Sequence, residues 1–408
     1  MSALSYMISS MISGQTWLAA LLGRILFSEH RAQGKTALDL AEVRSVLVVH
    51  LFEIGDVVML TAFLRELRRL LPAARITLIV KPETRNLVGT CPYVDEVIAY
   101  DTRLSPALRP LLLPWRAFGA ARRLRDRKFD LAIVPSWLAD NSYASFLACF
   151  SGAPWRLGYS ERVSARRRRL NRGFDRLFTH TLGEPGLDQK AEHDVRRNLA
   201  MIPFLGGQVE REALELWPDT EDEAFAQSFL EAQGAKPTDA LVALCPSAGH
   251  SALKQWPLDH FVELAQRLHD QESVRLLLVG GPGEEALGEA FEAALGPAVI
   301  NAVGKTTLRQ MAALLARCRC FVGNDAGPMH VAAAMNVPTV ALFGSSCHHR
   351  YGPWGAGHTA VSHELPCSPC GRGHDAERCR RCIFDRPRCL TEMTVEEVQR
   401  VVQRRFRV

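Results

Sequence analysis

From Val46 onward, short apolar segments alternate with longer amphipathic segments along most of the chain. VLVVHL, RITLIV, VDEVIAYD and DLAIVPS have strand length and are separated by helical patterns. A second series contains ALVALCPS, RLLLVGGP, CFVGND and TVALFGSS. Because parallel strands are joined by helical crossovers, this alternation predicts an α/β fold with parallel sheets. Two consecutive series predict two doubly wound domains with a ligand held between the carboxyl ends of their strands.

These patterns divide the chain into four parts. Residues 1–43 form an N-terminal amphipathic helical extension, and residues 44–205 form a first Rossmann-like domain. Residues 206–393 form a second such domain, which includes the cysteine-rich segment 367–389. Residues 394–408 begin with a Thr-x-x-Glu sequence that resembles a capping box. We predict that they form a last helix that packs back on the first domain.

The first 23 residues carry no charged side chain but are not a typical membrane span. Several serines dilute the apolar pattern, so the stretch is a poor candidate to cross ~30 Å of hydrocarbon. It also lacks the positive start and cleavage site of a signal peptide. Leu4, Ile8, Met11 and Leu18 fall on one helical stripe. Two interpretations stay open: a helix packed on the body of the protein, or an interfacial helix lying on the inner membrane.

Composition and charge narrow the class of protein. The chain has 408 residues, 47% of them hydrophobic and 23% charged, which are the proportions of a globular protein long enough for two domains. A net charge of +5 favours anionic partners but is too small to indicate nucleic acid. The 11 cysteines are an odd number, which argues against a fully paired secreted framework and favours a reducing cytoplasm.

The first candidate for chemistry is the acid beside a glycine in the turn after the first strand. Gly55 and Asp56 interrupt the sequence VLVVHLFEIGDVVMLTAFLREL between its strand and its helix. From the residues alone, Asp56 is a helix cap, a neighbour of a phosphate site or a catalytic base.

The second domain carries a phosphate-site pattern in FVGNDAGPMHVAAA, from Phe321 to Ala334. Pro328 sits at a helix start, where it costs no hydrogen bond. The free amides and the positive end of the helix dipole there favour an anion. Asp325 cannot coordinate a phosphate directly, so it orients amides, contacts a hydroxyl or simply caps the helix.

Two more loops supply candidates for nucleotide binding. Lys254 lies just before a helix and can reach a diphosphate as a point charge, although most lysines are solvated surface residues. Glu284 follows Gly280 and Gly281, and such an acid can accept hydrogen bonds from a ribose diol. Neither a P-loop nor a full GxGxxG follows the first strand. The candidate donor-binding residues are Ser247, Gly249, Lys254, Glu284, Asp325, Ala326, Gly327, Pro328 and His330.

Arginines crowd the end of the first domain. Arg166, Arg167, Arg168 and Arg169 are consecutive, and such a run is either a solvated loop or a surface that pairs phosphates and carboxylates. Nucleic acid is the less favoured partner because no aromatic residues interleave with the arginines.

Five cysteines crowd the segment CSPCGRGHDAERCRRC and the residues that follow it. Paired CxxC sequences in a cytoplasmic protein favour a structural metal, zinc or an iron–sulfur cluster. Free thiols or occasional disulfides are the alternative. The candidate metal ligands are Cys367, Cys370, Cys379 and Cys382.

Taken together, these segments resemble glycosyltransferase family 9, the ADP-heptose:lipopolysaccharide heptosyltransferases. The resemblance rests on IGDVVMLTAFLRELRRLLPAARITLIV, CPYVDEVIAYD, RLGYS, HDVRRNLAMI, LKQWP and GNDAGPMHVAAAMNVPTVALFG, and it spans Val46 to Val402. It implies a GT-B architecture of two facing Rossmann-like domains. The first would bind the acceptor and supply the base, and the second would bind the nucleotide-sugar.

The resemblance also implies roles for residues and partners. Asp56 falls on the family's catalytic base and Asp325 on its nucleotide-sugar aspartate, in an inverting transfer that needs no cofactor. Gly55 and the arginines from Arg166 to Arg169 would face the acceptor, a phosphorylated lipid A–Kdo core at the inner membrane. We expect a monomer that is cytoplasmic and peripheral to that membrane. His50 and Glu53 depart from the family pattern, so the transferred sugar stays open.

Three alternatives remain at this point. One is a family 9 transferase of another sugar or acceptor. The second is a GT-B sugar-nucleotide epimerase, which would show paired catalytic acids and a histidine instead of the Gly-Asp motif. The third is a non-catalytic binding protein that uses the cysteine segment for interaction.

Overall fold

The computed structural model describes residues 38–105, 108–183, 192–249, 251–363, 365–370 and 382–406. The predicted N-terminal helical extension, residues 1–43, lies outside this part of the chain except for residues 38–43. The described residues divide into two compact units. The first contains residues up to 53 together with 62–85 and 91–212, and the second contains 54–61, 86–90 and 213 onward.

The first unit contains a six-stranded parallel sheet. Its spatial order is β3-β2-β1-β4-β5-β6, the order of a Rossmann fold. The strands are β1 (Ser45–His50), β2 (Arg75–Val80), β3 (Glu96–Ala99), β4 (Leu131–Val134), β5 (Trp155–Tyr159) and β6 (His180–Leu182). The helices connected with them are α1 (Ile54–Leu70), α2 (Pro82–Val88), α3 (Arg109–Leu124), α4 (Ala144–Phe150), α5 (Ala165–Leu170), α6 (Asp194–Leu199) and α7 (Met201–Phe204).

The second unit repeats this topology with its own sheet, ordered β12-β11-β10-β7-β8-β9. The strands are β7 (Leu241–Cys245), β8 (Arg275–Leu278), β9 (Val299–Asn301), β10 (Cys320–Asn324), β11 (Thr339–Phe343) and β12 (Thr359–Ser362). The helices are α8 (Thr220–Ala232), α9 (Leu258–Glu272), α10 (Glu285–Leu295), α11 (Leu308–Leu315), α12 (Gly327–Ala334), α13 (His348–Tyr351), α14 (Arg388–Thr391) and α15 (Val395–Phe406). The predicted α/β fold with two doubly wound parallel domains is confirmed.

The central strands are buried throughout, which explains their nearly continuous apolar sequences. All five residues of β7, β10 and β11 are buried. Parallel sheets covered by helices on both faces require such strands, because neither face meets water. The carboxyl ends of the central strands are therefore fixed, and the loops that follow them are held on a rigid base.

The last helix packs within the second unit. Val395, Val398 and Val402 of α15 belong to that unit's apolar core, and Gln399 donates a hydrogen bond to Gln271 of α9 at 2.7 Å. Burial of each valine side chain stabilises the fold by roughly 1.5–3 kcal/mol. The prediction that residues 394–408 pack on the first domain is therefore wrong, because the apolar stripe of α15 is occupied by α9.

Candidate active site

The Gly-Asp turn opens α1 directly after β1. Asp56 is half-buried in the first turn of the helix, and an acid there interacts favourably with the positive end of the helix dipole. The residues that follow, Val57 to Leu60, are buried. The carboxylate is therefore held on a short, well-anchored helix start, and residues 54–61 belong to the second compact unit.

Within the second unit, this turn lies against the start of α12. A Cβ atom added to Gly55 would lie 2.6 Å from Cδ2 of His330, a buried residue. A Cβ added to Gly327 would lie 3.0 Å from Cβ of Ile54. Real Cβ contacts at the first distance essentially do not occur, so Gly55 cannot carry a side chain without movement of its neighbours. The backbone that carries Asp56 thus touches the helix predicted to bind the diphosphate.

Asp325 binds two side chains at the end of β10. Its Oδ2 atom accepts hydrogen bonds from Nζ of Lys254 at 2.6 Å and from Oγ of Ser346 at 2.5 Å. Asp325 is buried, whereas the Lys254 side chain is one-third exposed. Because an ammonium group has three N–H donors, one bond to Asp325 fixes Lys254 and leaves donors for an anion.

The start of α12 has the geometry of an anion site. The N-cap residue is Ala326, no side chain caps the helix, and a proline lies in its first two positions. The interpretation of Asp325 as a helix cap is therefore wrong. The uncapped first turn and the dipole of this eight-residue helix favour negative charge at its start, next to Asp325 and its partner Lys254.

Asn324 holds the surrounding loops together, a role the sequence did not predict. Its Nδ2 donates to the carbonyl oxygen of Pro246 at 2.7 Å, and its Oδ1 accepts from the amide of Trp256 at 3.0 Å. Both bonds fix the ends of the loop that carries Lys254.

Glu284 is held by the neighbouring Gly-rich turn. Its Oε2 accepts from the amide of Gly281 at 2.7 Å, and its Oε1 accepts from the hydroxyl of Ser247. The Ser247 hydroxyl in turn accepts from the amide of Gly249 at 3.2 Å, and Gly249 has a φ of 58° that favours glycine. The carboxylate is thus oriented at the edge where a nucleotide ribose binds in doubly wound folds.

Comparison with known proteins settles the family. The family model described as "Glycosyltransferase family 9 (heptosyltransferase)" matches residues 117–380. The chain is 30% identical over 315 residues to lipopolysaccharide heptosyltransferase 2 of Escherichia coli K12, covering 74% of this chain and 83% of the relative. The chain belongs to glycosyltransferase family 9.

Two solved structures share the fold of this chain. The family 9 glycosyltransferase of Veillonella parvula superposes with a TM-score of 0.74 at 24% identity, covering 91% of this chain and 99% of that one. The E. coli ADP-heptose LPS heptosyltransferase II superposes with a TM-score of 0.68 at 23% identity, covering 89% and 98%. These likenesses concern the fold.

Glu53 has a partner in the first unit. Its Oε1 accepts from Nζ of Lys81 at 2.5 Å, and the Glu53 side chain is 81% exposed. An exposed ion pair of this kind contributes only about 0–1 kcal/mol. Glu53 is therefore a largely solvated residue beside the turn.

The arginine run is not uniform. Arg167 is fully buried, and its guanidinium donates to the backbone carbonyls of Ser136, Leu138 and Tyr159 at 2.6–2.9 Å. It cannot face an acceptor, and its predicted role is corrected to one of holding the loop after β4 to the end of β5. Arg168 and Arg169 are exposed on α5.

The cysteine segment is only partly described. Cys367, Cys370 and Cys382 are of intermediate exposure, whereas Cys379 lies outside the described residues. Among the described histidine, cysteine, aspartate and glutamate side chains, no group of three or more is placed to hold a metal ion. Nothing in the described part of the segment therefore supports the predicted zinc or iron–sulfur site. Burial also raises the pKa of the Cys389 thiol to about 11, with Cys370, Cys382 and Cys367 contributing, which keeps it protonated.

Proposed function

We propose that this protein is an inverting heptosyltransferase that moves heptose from ADP-heptose to the inner core of lipopolysaccharide. Its family 9 membership supports the reaction class. Support for the sugar and acceptor comes from relatives named lipopolysaccharide heptosyltransferase 2 in E. coli and in Salmonella typhimurium.

The observation that carries the proposal is the close approach of Gly55 to His330. It brings the backbone beside Asp56 to the helix start that favours a diphosphate, within one compact unit. An inverting transfer needs a base on one side of the anomeric carbon and a site for the leaving group on the opposite side, with the two held in a fixed geometry. A glycine that admits no side chain at this contact supports such a geometry.

In the proposed reaction the Asp56 carboxylate accepts the proton of the acceptor hydroxyl while that oxygen attacks the anomeric carbon. The bond from the anomeric carbon to the diphosphate oxygen breaks, and its electron pair goes to the leaving nucleoside diphosphate. Lys254 and the first amides of α12, from Ala326 onward, stabilise that charge. Glu284 accepts hydrogen bonds from the ribose hydroxyls. These steps use only side chains and amides of this chain.

We assign recognition of the acceptor to Gly55 and to Arg166, Arg168 and Arg169. A guanidinium pairs bidentately with phosphate or carboxylate, the anionic groups of a lipid A–Kdo core. Arg167 supports this surface from behind through its bonds to backbone carbonyls.

A glycolipid acceptor places the enzyme at the surface of the inner membrane. We propose a monomeric, cytoplasmic protein that is peripheral to that membrane and does not bind nucleic acid. In the described part of the chain, each helix is too short or too polar to span a bilayer. Co-sedimentation with vesicles of anionic lipid, with and without residues 1–37, tests the membrane contact.

The experiment for the function is a donor panel on the purified protein. ADP-heptose, UDP-glucose and GDP-mannose are each incubated with a Kdo-containing lipid A acceptor, and the product mass and nucleoside diphosphate release are measured. The proposal expects transfer of one heptose and release of ADP from ADP-heptose alone. Transfer from a UDP- or GDP-sugar in its place, or a donor isomerised without transfer, would contradict it.

A further inference from the structure

A cavity of about 360 Å³ lies at the carboxyl ends of β11 and β12. These strands pair in parallel, with Phe343 opposite Ser362 at their ends. Strand β11 also pairs with β10, whose end carries Asp325. The cavity therefore opens on the same edge of the sheet as the proposed donor site. We call it the His348 cavity, after His348 in its wall.

The cavity is joined to Asp325 through one side chain. Ser346 lines the cavity, and its hydroxyl donates to Oδ2 of Asp325, the atom that also accepts from Lys254. A ligand atom that contacts Ser346 is thus one hydrogen bond away from the pair that we assign to the diphosphate. A group continuous with the donor's reacting end would reach this cavity.

The wall of the cavity combines imidazole and hydroxyl groups with an apolar side. His348, His349 and Ser362 line it, and Nδ1 of His348 lies 3.2 Å from the Ser362 hydroxyl. Leu365 and Pro366 supply apolar surface. Its described lining residues include no lysine, arginine, aspartate or glutamate.

This chemistry favours a polyol over an anion. Imidazole nitrogens and hydroxyls both donate and accept, and so they match sugar hydroxyls, whereas an unpaired phosphate or carboxylate would lose its hydration without a cation to replace it. Sugar C–H faces pack on apolar side chains such as Leu365 and Pro366, and a pocket with convergent polar groups and an apolar wall is typical of small-ligand sites.

We propose that the His348 cavity is a carbohydrate subsite that binds hydroxyl groups of a sugar next to the reacting centre. The inference rests on the proposed function. The shared chemistry is that of a sugar polyol, and two sources present it: the transferred sugar of the donor and the sugar of the acceptor. His348, His349 and Ser362 contact its hydroxyls and so determine which sugar is accepted.

The test compares affinities for the nucleotide with and without its sugar. His348→Ala and Ser362→Ala are measured by calorimetry against ADP and against ADP-heptose, and their KM for a Kdo-containing acceptor is determined. His180→Ala, an exposed histidine of β6, is the matched control. If the donor sugar occupies the cavity, the Kd for ADP-heptose rises about three- to tenfold while that for ADP is unchanged. If the acceptor sugar occupies it, only the acceptor KM rises by this factor.

Other outcomes would overturn the subsite. One is that both variants keep the wild-type Kd for ADP-heptose and the wild-type KM for the acceptor. The other is an equal loss of affinity for ADP and for ADP-heptose, which would make the cavity a nucleotide site. Ser362→Ala removes a single oxygen and keeps the test valid if His348→Ala does not fold. Absence of transfer by the wild-type protein would count against the proposed function, and the comparison of the two affinities would still decide the subsite.

Discussion

The contact between Gly55 and His330 predicts that a single methyl group disturbs the active site. In Gly55→Ala, the new Cβ would lie 2.6 Å from Cδ2 and 3.1 Å from Nε2 of His330. Carbon atoms in contact lie about 3.5–4.0 Å apart, so the ring or the helix start must retreat by about 1 Å. His330 is only 4% exposed, and the residues that follow it on α12 are buried, so the ring has little room.

Two magnitudes follow from this displacement. Overpacking of this kind costs about 1–3 kcal/mol of stability. A shift of about 1 Å in a catalytic group lowers the rate on the order of a hundredfold. Turnover of ADP-heptose by Gly55→Ala is followed by a coupled assay for ADP, and its unfolding is followed by urea titration.

The matched control is Gly119→Ala in α3, where an added Cβ meets no atom within 4 Å. Alanine there should stabilise the helix by about 0.5–1 kcal/mol and leave turnover unchanged. The reasoning fails if Gly55→Ala keeps wild-type turnover and stability, because the glycine would then not be required by the contact.

Three further predictions concern donor binding, the arginine run and pH. Glu284→Gln should weaken ADP binding about ten- to hundredfold in calorimetry, because charge-assisted bonds to the ribose contribute about 1.5–3 kcal/mol. An unchanged affinity for ADP would contradict the proposed contact between Glu284 and the ribose. Arg167→Ala should lower the urea midpoint of unfolding, because it leaves buried carbonyls unpaired. Arg168→Ala should keep the stability within about 0.5 kcal/mol of wild type and raise the KM for the acceptor. Equal urea midpoints for the two variants would refute the different roles assigned to these arginines. Burial, aided by the Arg405 charge, lowers the pKa of His358 from 6.5 to about 4. The unfolded chain therefore binds more protons between these values, and stability should fall as pH is lowered from about 6.5 to 4. His358→Phe should flatten this dependence in pH-resolved urea titrations, and an unchanged slope would contradict the assignment.

The sequence pattern predicted the central strands of each sheet better than the outer ones. Strands such as β7 and β10 are buried on both faces and appear as continuous apolar runs. The patterns gave no strand for β5, β6, β9 or β12, and the last three are short segments at sheet edges, HTL, VIN and TAVS. A strand at an edge pairs on one side only and needs fewer apolar residues, so its sequence resembles a loop.

In the candidate site, too, the sequence predicted some residues and missed others. Gly55, Asp56, Lys254 and Asp325 each have a distinctive neighbour in a loop or helix start that follows a strand, and the sequence predicted them as site residues. The Ser346 hydroxyl is 21 positions from its partner Asp325 in the chain, and no local pattern links the two residues.

For Arg167 the local sequence suggested the wrong environment. It stands in a run of four arginines whose appearance is that of a solvated loop. Its burial depends on two carbonyls in the loop after β4 and one at the end of β5, which only the folded chain brings together.

The central claim is that Asp56 is the base of an inverting transfer. Asp56→Asn keeps the shape of the side chain and removes its ability to accept a proton. Glu53→Gln, an exposed acid three positions earlier in the chain, is the matched control. Turnover of ADP-heptose and calorimetric donor affinity are measured for both. The account predicts that Asp56→Asn loses about 10²- to 10⁴-fold in kcat with donor affinity kept, and that Glu53→Gln retains both. Wild-type turnover in Asp56→Asn would contradict it.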